Sequence, residues 1–115
     1  MRPGRLGFAL PAAAATALAL ATPASAAPRV HTPKTYTIEV KAMKFAPPPS
    51  GLRVGDRVIW VNHDMFRHSA TSVDNSFDID LQPGGQGGVI IRKAGPIPFT
   101  CKYHPGMKGV LAAGD

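Results

Sequence analysis

The sequence predicts an all-β fold, a sandwich or small barrel of about seven or eight short antiparallel strands. Apolar and polar residues alternate with a period of two in several short stretches. The 115 residues include 12 prolines and 12 glycines, which interrupt the chain too often for a helical apolar pattern to continue. Turn-forming residues separate the alternating stretches. Together these three observations favour strands joined by turns.

Residues 1–26 have the pattern of a secretory signal peptide. Two arginines precede an apolar stretch, and the segment ends in Ala24-Ser25-Ala26, a small-x-small cleavage sequence. A transmembrane anchor is the alternative, but Pro11 interrupts the apolar stretch, which is shorter than the ~20 residues of a bilayer span. The two arginines are not adjacent, so we expect the general secretion route and cleavage after Ala26. The mature protein is then periplasmic or otherwise exported, with no membrane span.

Cleavage would leave one small domain with a thin core. We expect residues 27–34 to form a flexible lead-in and residues 35–115 to form the folded domain. Small exported domains usually need a cross-link, yet Cys101 is the only cysteine and cannot form an internal disulfide. A bound metal ion is the natural substitute.

The charge of the mature chain argues against nucleic-acid binding. Of the 13 lysines and arginines, Arg2 and Arg5 lie in the signal, which leaves 11 against 7 acidic residues, a net charge of +4. The basic residues form no run and no stripe interleaved with aromatic residues. We therefore interpret them as solvated surface charge.

Six strands can be located in the sequence. Tyr36, Ile38 and Val40 alternate with polar residues, which predicts a strand with one buried face. Trp60, the only tryptophan, lies in an almost wholly apolar stretch and should belong to the core. Residues 82–88, QPGGQGG, predict turn and loop only. The six predicted strands are residues 35–41, 58–61, 77–81, 89–91, 97–101 and 110–112.

A group of soft metal donors follows the predicted strand 97–101. Cys101, His104 and Met107 lie within seven residues, in the stretch FTCKYHPGM. Because Pro105-Gly106 favours a tight turn, all three side chains can point inward. A thiolate, an imidazole and a thioether suit copper in both oxidation states and suit magnesium or calcium poorly.

A fourth donor must come from another part of the chain. His31 lies in the lead-in, whereas His63 and His68 both follow the Trp60 strand in WVNHDMFRHSA. Two histidines, one cysteine and a weak axial methionine form the ligand set of blue-copper electron-transfer sites. Either His63 or His68 could complete such a set.

The stretches VGDRVIWVNHDMFRHSA and FTCKYHPGM resemble the cupredoxins, the small blue copper proteins. The loop CKYHPGM is most similar to the short ligand loop of amicyanin, and the resemblance covers residues 35–112. It implies a Greek-key β-sandwich and one copper ion, and the spacing of eight residues from Trp60 favours His68 over His63. The implied ligands are His68, Cys101, His104 and Met107.

The resemblance also implies a function. We expect a monomeric electron carrier, without catalysis of its own, that passes single electrons between larger redox proteins. The exposed edge of His104 would be the electron gate, and the backbone amide of Ser69 should lie close to the thiolate. Asp80 departs from the glycine or serine common in the family, and we interpret it as a local turn difference without functional weight.

Three basic residues lie next to the implied ligands. Arg67, Lys102 and Lys108 should make this end of the protein basic, which predicts steering of an acidic partner surface.

Two other functions are open at this point. A copper storage, delivery or tolerance protein would release the metal, but the sequence lacks the Met/His-rich tracts typical of such proteins. The other is a structural β-sandwich with an incidental metal site, for example for zinc. A hydrolase has little support, because no carboxylate or amide is evident to orient a Cys101-His104 pair.

Overall fold

A computed structural model describes residues 1–5, 7–21 and 30–115. Within these residues the fold consists of eight strands and confirms the predicted all-β class. They form two four-stranded sheets, β2-β1-β3-β6 and β5-β4-β7-β8. The strands are β1 (Thr35–Lys41), β2 (Lys44–Phe45), β3 (Arg57–Asn62), β4 (His68–Ser72), β5 (Asp78–Leu81), β6 (Gln86–Ile90), β7 (Gly95–Thr100) and β8 (Lys108–Ala113).

Most neighbouring strands are antiparallel, with one exception. β1 and β3 run parallel, with Thr35 opposite Arg57 and Val40 opposite Asn62. In the second sheet β4 pairs with β5 on one side and with β7 on the other. The start of β4 and the end of β7 therefore lie in adjacent strands of the same sheet.

The core lies between the two sheets. Ile38 and Val40 are buried, as the alternation in β1 predicts, and Trp60 is fully buried in β3. The ring of Trp60 meets that of Phe99 on β7 edge to face, with 5.4 Å between centroids, and so joins the sheets. Each such side chain contributes about 1.5–3 kcal/mol by burial.

The prediction that residues 82–88 form only loop was wrong. Residues 86–88 begin β6 and pair with β3, where Gly87 lies opposite Trp60 and Gly88 opposite Ile59. A Cβ on Gly87 would lie 2.4 Å from Ile79 Cγ2, and a Cβ on Gly88 would lie 2.8 Å from the Val58 carbonyl oxygen. Glycine is present because the neighbouring groups approach too closely for a side chain.

The N-terminal part was predicted as a signal peptide and a flexible lead-in. Residues 1–5 and 7–21 are exposed and form no strand, whereas the predicted cleavage sequence at 24–26 and residues 27–29 lie outside the described residues. His31 Nε2 lies 2.6 Å from Asp56 Oδ1, and the Lys34 N–H donates to the same oxygen at 2.8 Å. The last residues of the lead-in are thus bonded to the domain. In the described part of the chain, no helix has the length and apolarity needed to cross a membrane.

Candidate metal centre

Three of the predicted donor side chains meet at one end of the sandwich. The ligand atoms of His68, Cys101 and His104 all lie within 4.8 Å of one another. The two Nδ1 atoms are 3.2 Å apart. Cys101 Sγ lies 3.8 Å from Nδ1 of His68 and 3.7 Å from Nδ1 of His104. Two imidazole nitrogens and one sulfur therefore converge on a common point.

The strands and one tight loop place these side chains. His68 is the first residue of β4, and Cys101 follows directly after β7. In the loop the His104 N–H donates to the Cys101 carbonyl at 3.3 Å, and the Met107 N–H donates to the His104 carbonyl at 2.8 Å. The Cys101 N–H donates to the Met107 carbonyl at 3.0 Å, which closes the loop on itself. Met107 is buried in the same apolar cluster as Cys101.

Cys101 is a buried free thiol that receives a backbone hydrogen bond. The Ser69 N–H donates to its Sγ at 3.3 Å, as the resemblance implied. The Ser69 hydroxyl oxygen accepts from the Lys102 N–H at 2.9 Å, so Ser69 joins β4 to the ligand loop. Cysteine binds metals as the thiolate, and a thiolate sulfur can accept a backbone N–H of this kind.

The far side of the His68 ring contacts a carboxylate that the sequence analysis did not identify as part of the site. His68 Nε2 lies 2.7 Å from Asp64 Oδ2, and the His68 side chain is fully buried. Burial alone would raise the pKa of Asp64, but hydrogen bonds from the Met43 N–H, His68 and the Ala42 N–H outweigh burial and lower that pKa. The ionised carboxylate can accept a hydrogen bond from Nε2, and Nδ1 is the ring nitrogen that faces Cys101 and His104.

The other two histidines lie elsewhere. His63, the rival to His68, has a half-exposed side chain with Nε2 3.8 Å from Glu39 Oε1, outside the three-donor group. His31 contacts Asp56. His104 is half-buried, so one of the three donor side chains reaches the surface.

The basic residues beside the site are partly neutralised. Arg67 Nε lies 2.7 Å from Asp80 Oδ1, and Lys102 Nζ lies 2.9 Å from Asp78 Oδ2. The Arg67 hydrogen bond lowers the pKa of Asp80, and the Lys102 hydrogen bond lowers the pKa of Asp78. The interpretation of Asp80 as only a local turn difference is therefore incomplete, because its carboxylate pairs with Arg67, the residue before His68. Both acids are exposed on β5, and only their tertiary placement connects them with the site.

The spacing of the donor atoms fits one metal ion. Ligand atoms bound at ~2.0–2.3 Å from a first-row metal lie roughly 3.3–3.8 Å apart when bond angles are between tetrahedral and trigonal. The separations of 3.2, 3.7 and 3.8 Å are close to this range. One sulfur with two imidazoles is a donor set for a transition metal and not for magnesium or calcium.

The fold and the donor cluster together define the class of protein. It is a small β protein of two sheets, with nitrogen and sulfur metal donors clustered where β4 begins and β7 ends. The chain belongs to the Cupredoxin-like domain family, which matches residues 10–113. The predicted resemblance to cupredoxins is thereby confirmed. No curated protein sequence matches the chain significantly.

Several amicyanin structures share the fold. Amicyanin from Paracoccus versutus (Thiobacillus versutus) superposes with a TM-score of 0.60 at 20% identity, covering 70% of this chain and 81% of that chain. The oxidised state of a proline-to-alanine mutant of amicyanin gives 0.60 at 21%, covering 70% and 82%. The copper(I) form of a proline-to-glycine mutant at pH 4 gives 0.59 at 21%, covering 75% and 87%. At these identities the likeness establishes the fold.

Proposed function

We propose that this protein is a copper electron carrier. The observation that carries the proposal is the convergence of two imidazole nitrogens and a buried cysteine sulfur, 3.2–3.8 Å apart, in a chain of the cupredoxin-like family. The cofactor is one copper ion. The proposed ligands are His68, Cys101, His104 and Met107.

Copper is the metal that this donor set suits best. Thiolate and thioether sulfurs select copper(I), and imidazole nitrogens bind both oxidation states. Met107 is buried in the same apolar cluster as Cys101 and could supply the thioether. A bound copper ion would provide the one-electron couple between copper(II) and copper(I).

The residues of the chain would keep the ligands in place through the redox change. The loop bonds between Cys101, His104 and Met107 hold three ligands on one closed segment. Ser69 fixes that loop to β4, and Asp64 holds the ring of His68. A site held this way needs little rearrangement when the charge of the metal changes, and this keeps the barrier to electron transfer low.

Electrons would enter and leave through His104. His68 and Cys101 are fully buried, whereas His104 is half-buried and so presents an edge to solvent. The exposed apolar side chains of Met65 and Phe66 lie in the loop that precedes β4 and His68. The proposed partners are larger redox proteins that dock over His104. Because Arg67 and Lys102 are paired with β5 acids, charge would contribute less to docking than the sequence suggested.

The setting of this function is also a proposal. The pattern of residues 1–26 supports export to the periplasm, with residues 35–115 as the copper-binding domain and no catalytic activity. A monomer would be sufficient, because all four proposed ligands come from one chain.

Voltammetry of the copper-loaded protein tests the function. We expect one reversible one-electron wave and retention of one copper ion per chain through repeated cycles in the presence of a copper(I) chelator. Loss of copper to the chelator on reduction would instead support copper delivery or storage. Tight binding of zinc with no redox wave would support a structural site.

A further inference from the structure

Asp64 joins three parts of the molecule through one carboxylate. Its Oδ2 accepts from His68 Nε2 at 2.7 Å and from the Met43 N–H at 3.0 Å. Its Oδ1 accepts from the Ala42 N–H at 2.7 Å. The Asp64 N–H donates to Asn62 Oδ1 at 2.9 Å, and the Asp64 side chain is only 12% exposed. Three hydrogen bonds therefore hold the carboxylate, and a fourth holds the backbone N–H of the same residue.

The two backbone donors belong to a strained turn. Ala42 and Met43 form the two-residue connection between β1 and β2, with φ values of 51° and 59°. Such turns favour Asn-Gly, since a residue with a side chain pays about 1–2 kcal/mol in the left-handed region. Neither residue suits the conformation by itself. Hydrogen bonds from both turn amides to Asp64 offset this cost, and in return the turn fixes the position of the carboxylate.

The fixed carboxylate sets the orientation of the His68 ring. With Nε2 bonded to Asp64, the opposite nitrogen Nδ1 lies 3.8 Å from Cys101 Sγ and 3.2 Å from His104 Nδ1. A carboxylate on the far side of a ligand histidine selects the tautomer and makes the coordinating nitrogen more basic. Asp64 thus acts on the metal centre without contacting the metal.

We propose that Asp64 is a positioning residue that aims the Nδ1 lone pair of His68 at the metal and favours the oxidised state of the site. The proposal rests on the copper function proposed above. Reduction adds one electron and removes one positive charge from the centre. A nearby negative carboxylate stabilises the more positive copper(II) form, so Asp64 should lower the reduction potential.

Two variants separate the effect of Asp64 on the orientation of the His68 ring from the effect of its negative charge. Asp64→Ala removes the acceptor and the charge together. Asp64→Asn removes the charge but keeps a carbonyl oxygen that can accept from His68 Nε2, and it is the milder change for folding. Asp80→Asn is the matched control, because it removes one carboxylate charge on the neighbouring strand, opposite Ser69, without touching a proposed ligand.

The first measurement is the tautomer of His68 in the metal-free protein, from ring-nitrogen NMR at a pH where the rings are neutral. We expect the Nε2–H form in the wild type, Asp64→Asn and Asp80→Asn, and a mixture of tautomers in Asp64→Ala. A His68 tautomer unchanged in Asp64→Ala would overturn the positioning role. Because no metal is present, this result does not depend on whether the protein carries copper.

The second measurement is the reduction potential of the copper-loaded variants. In Asp64→Asn we expect the ratio of copper(II) to copper(I) affinities to fall about tenfold, which raises a one-electron potential by about 59 mV. The shift in Asp80→Asn should be clearly smaller. Equal shifts of the reduction potential in the two variants would overturn the proposal that Asp64 favours copper(II), because removal of any nearby carboxylate charge would then have the same effect. Failure of the wild type to bind copper would instead refute the proposed function.

Discussion

The backbone N–H of Ser69 donates a hydrogen bond to Cys101 Sγ at 3.3 Å, and this contact joins the two segments that form the metal centre. Ser69 follows the first donor histidine in β4, and Cys101 follows β7. The same residue accepts the Lys102 N–H through its hydroxyl group. These two hydrogen bonds of Ser69 therefore connect the sulfur and the loop that follows it to β4.

The paired cations beside the site should make association with charged partners only weakly dependent on salt. Oxidation of the reduced protein by hexacyanoferrate(III), an anion, measures this directly. We expect a shallow dependence of the rate constant on ionic strength in the wild type, because Asp80 and Asp78 neutralise Arg67 and Lys102. The double variant Asp78→Asn/Asp80→Asn should react up to roughly tenfold faster at low salt. Identical salt profiles for the two proteins would show that these ion pairs do not control the local field.

The glycines of β6 should be intolerant of side chains. Gly88→Ala places a Cβ 2.8 Å from the Val58 carbonyl oxygen, so the backbone of β3 or β6 must move. We expect a loss of about 1–3 kcal/mol in the free energy of unfolding, measured by denaturant titration. Gly114→Ala is the control, because its nearest neighbour is the Leu52 carbonyl oxygen at 3.9 Å. Equal stability of the two variants would contradict the close approach of β6 to β3.

The buried carboxylate of Asp56 should make stability fall in acid. Burial would raise its pKa, but bonds from the Lys34 N–H, His31 and the Arg53 N–H outweigh burial and lower the pKa from 3.8 to about 2. A lowered pKa gives a stabilising contribution that is present above about pH 3.8 and is lost as the pH falls towards about 2.

Denaturant titrations of the metal-free wild type and Asp56→Asn between pH 2 and pH 6 test the role of Asp56. The difference in free energy of unfolding between the two proteins should shrink as the pH falls. His31→Ala keeps the carboxylate and removes one partner, so it should retain a reduced form of the same pH dependence. A difference that stays constant over this range would contradict the assignment.

Strands with regular alternation could be predicted from sequence, whereas strands defined by their neighbours could not. Ile38, Val40 and Trp60 are buried as expected, because alternation reports which face of a strand is covered. β4 was not located, although its sequence HSATS is almost wholly buried. Its small polar side chains are buried by contacts with β5, β7 and the ligand loop. Similarly, Gly87 and Gly88 have the composition of a loop but the pairing of a strand.

The donor cluster could be predicted because its residue types are rare in this chain and closely spaced. The partners of those donors could not, because they depend on tertiary structure. Asp64 lies only four residues before His68, but its carboxylate also accepts from the N–H groups of Ala42 and Met43, which are distant in sequence. Asp78 and Asp80 likewise act through strand pairing that brings β5 beside β4.

The central claim is that His68, Cys101, His104 and Met107 bind copper as an electron-transfer site. The measurement that tests it most directly is the visible absorption and electron paramagnetic resonance spectrum of the purified protein titrated with copper(II). Cys101→Ala and His63→Ala variants are measured beside the wild type. We predict an intense sulfur-to-copper charge-transfer band at one equivalent, lost in Cys101→Ala and kept in His63→Ala. A colourless complex, or a band that disappears in His63→Ala, would contradict the account.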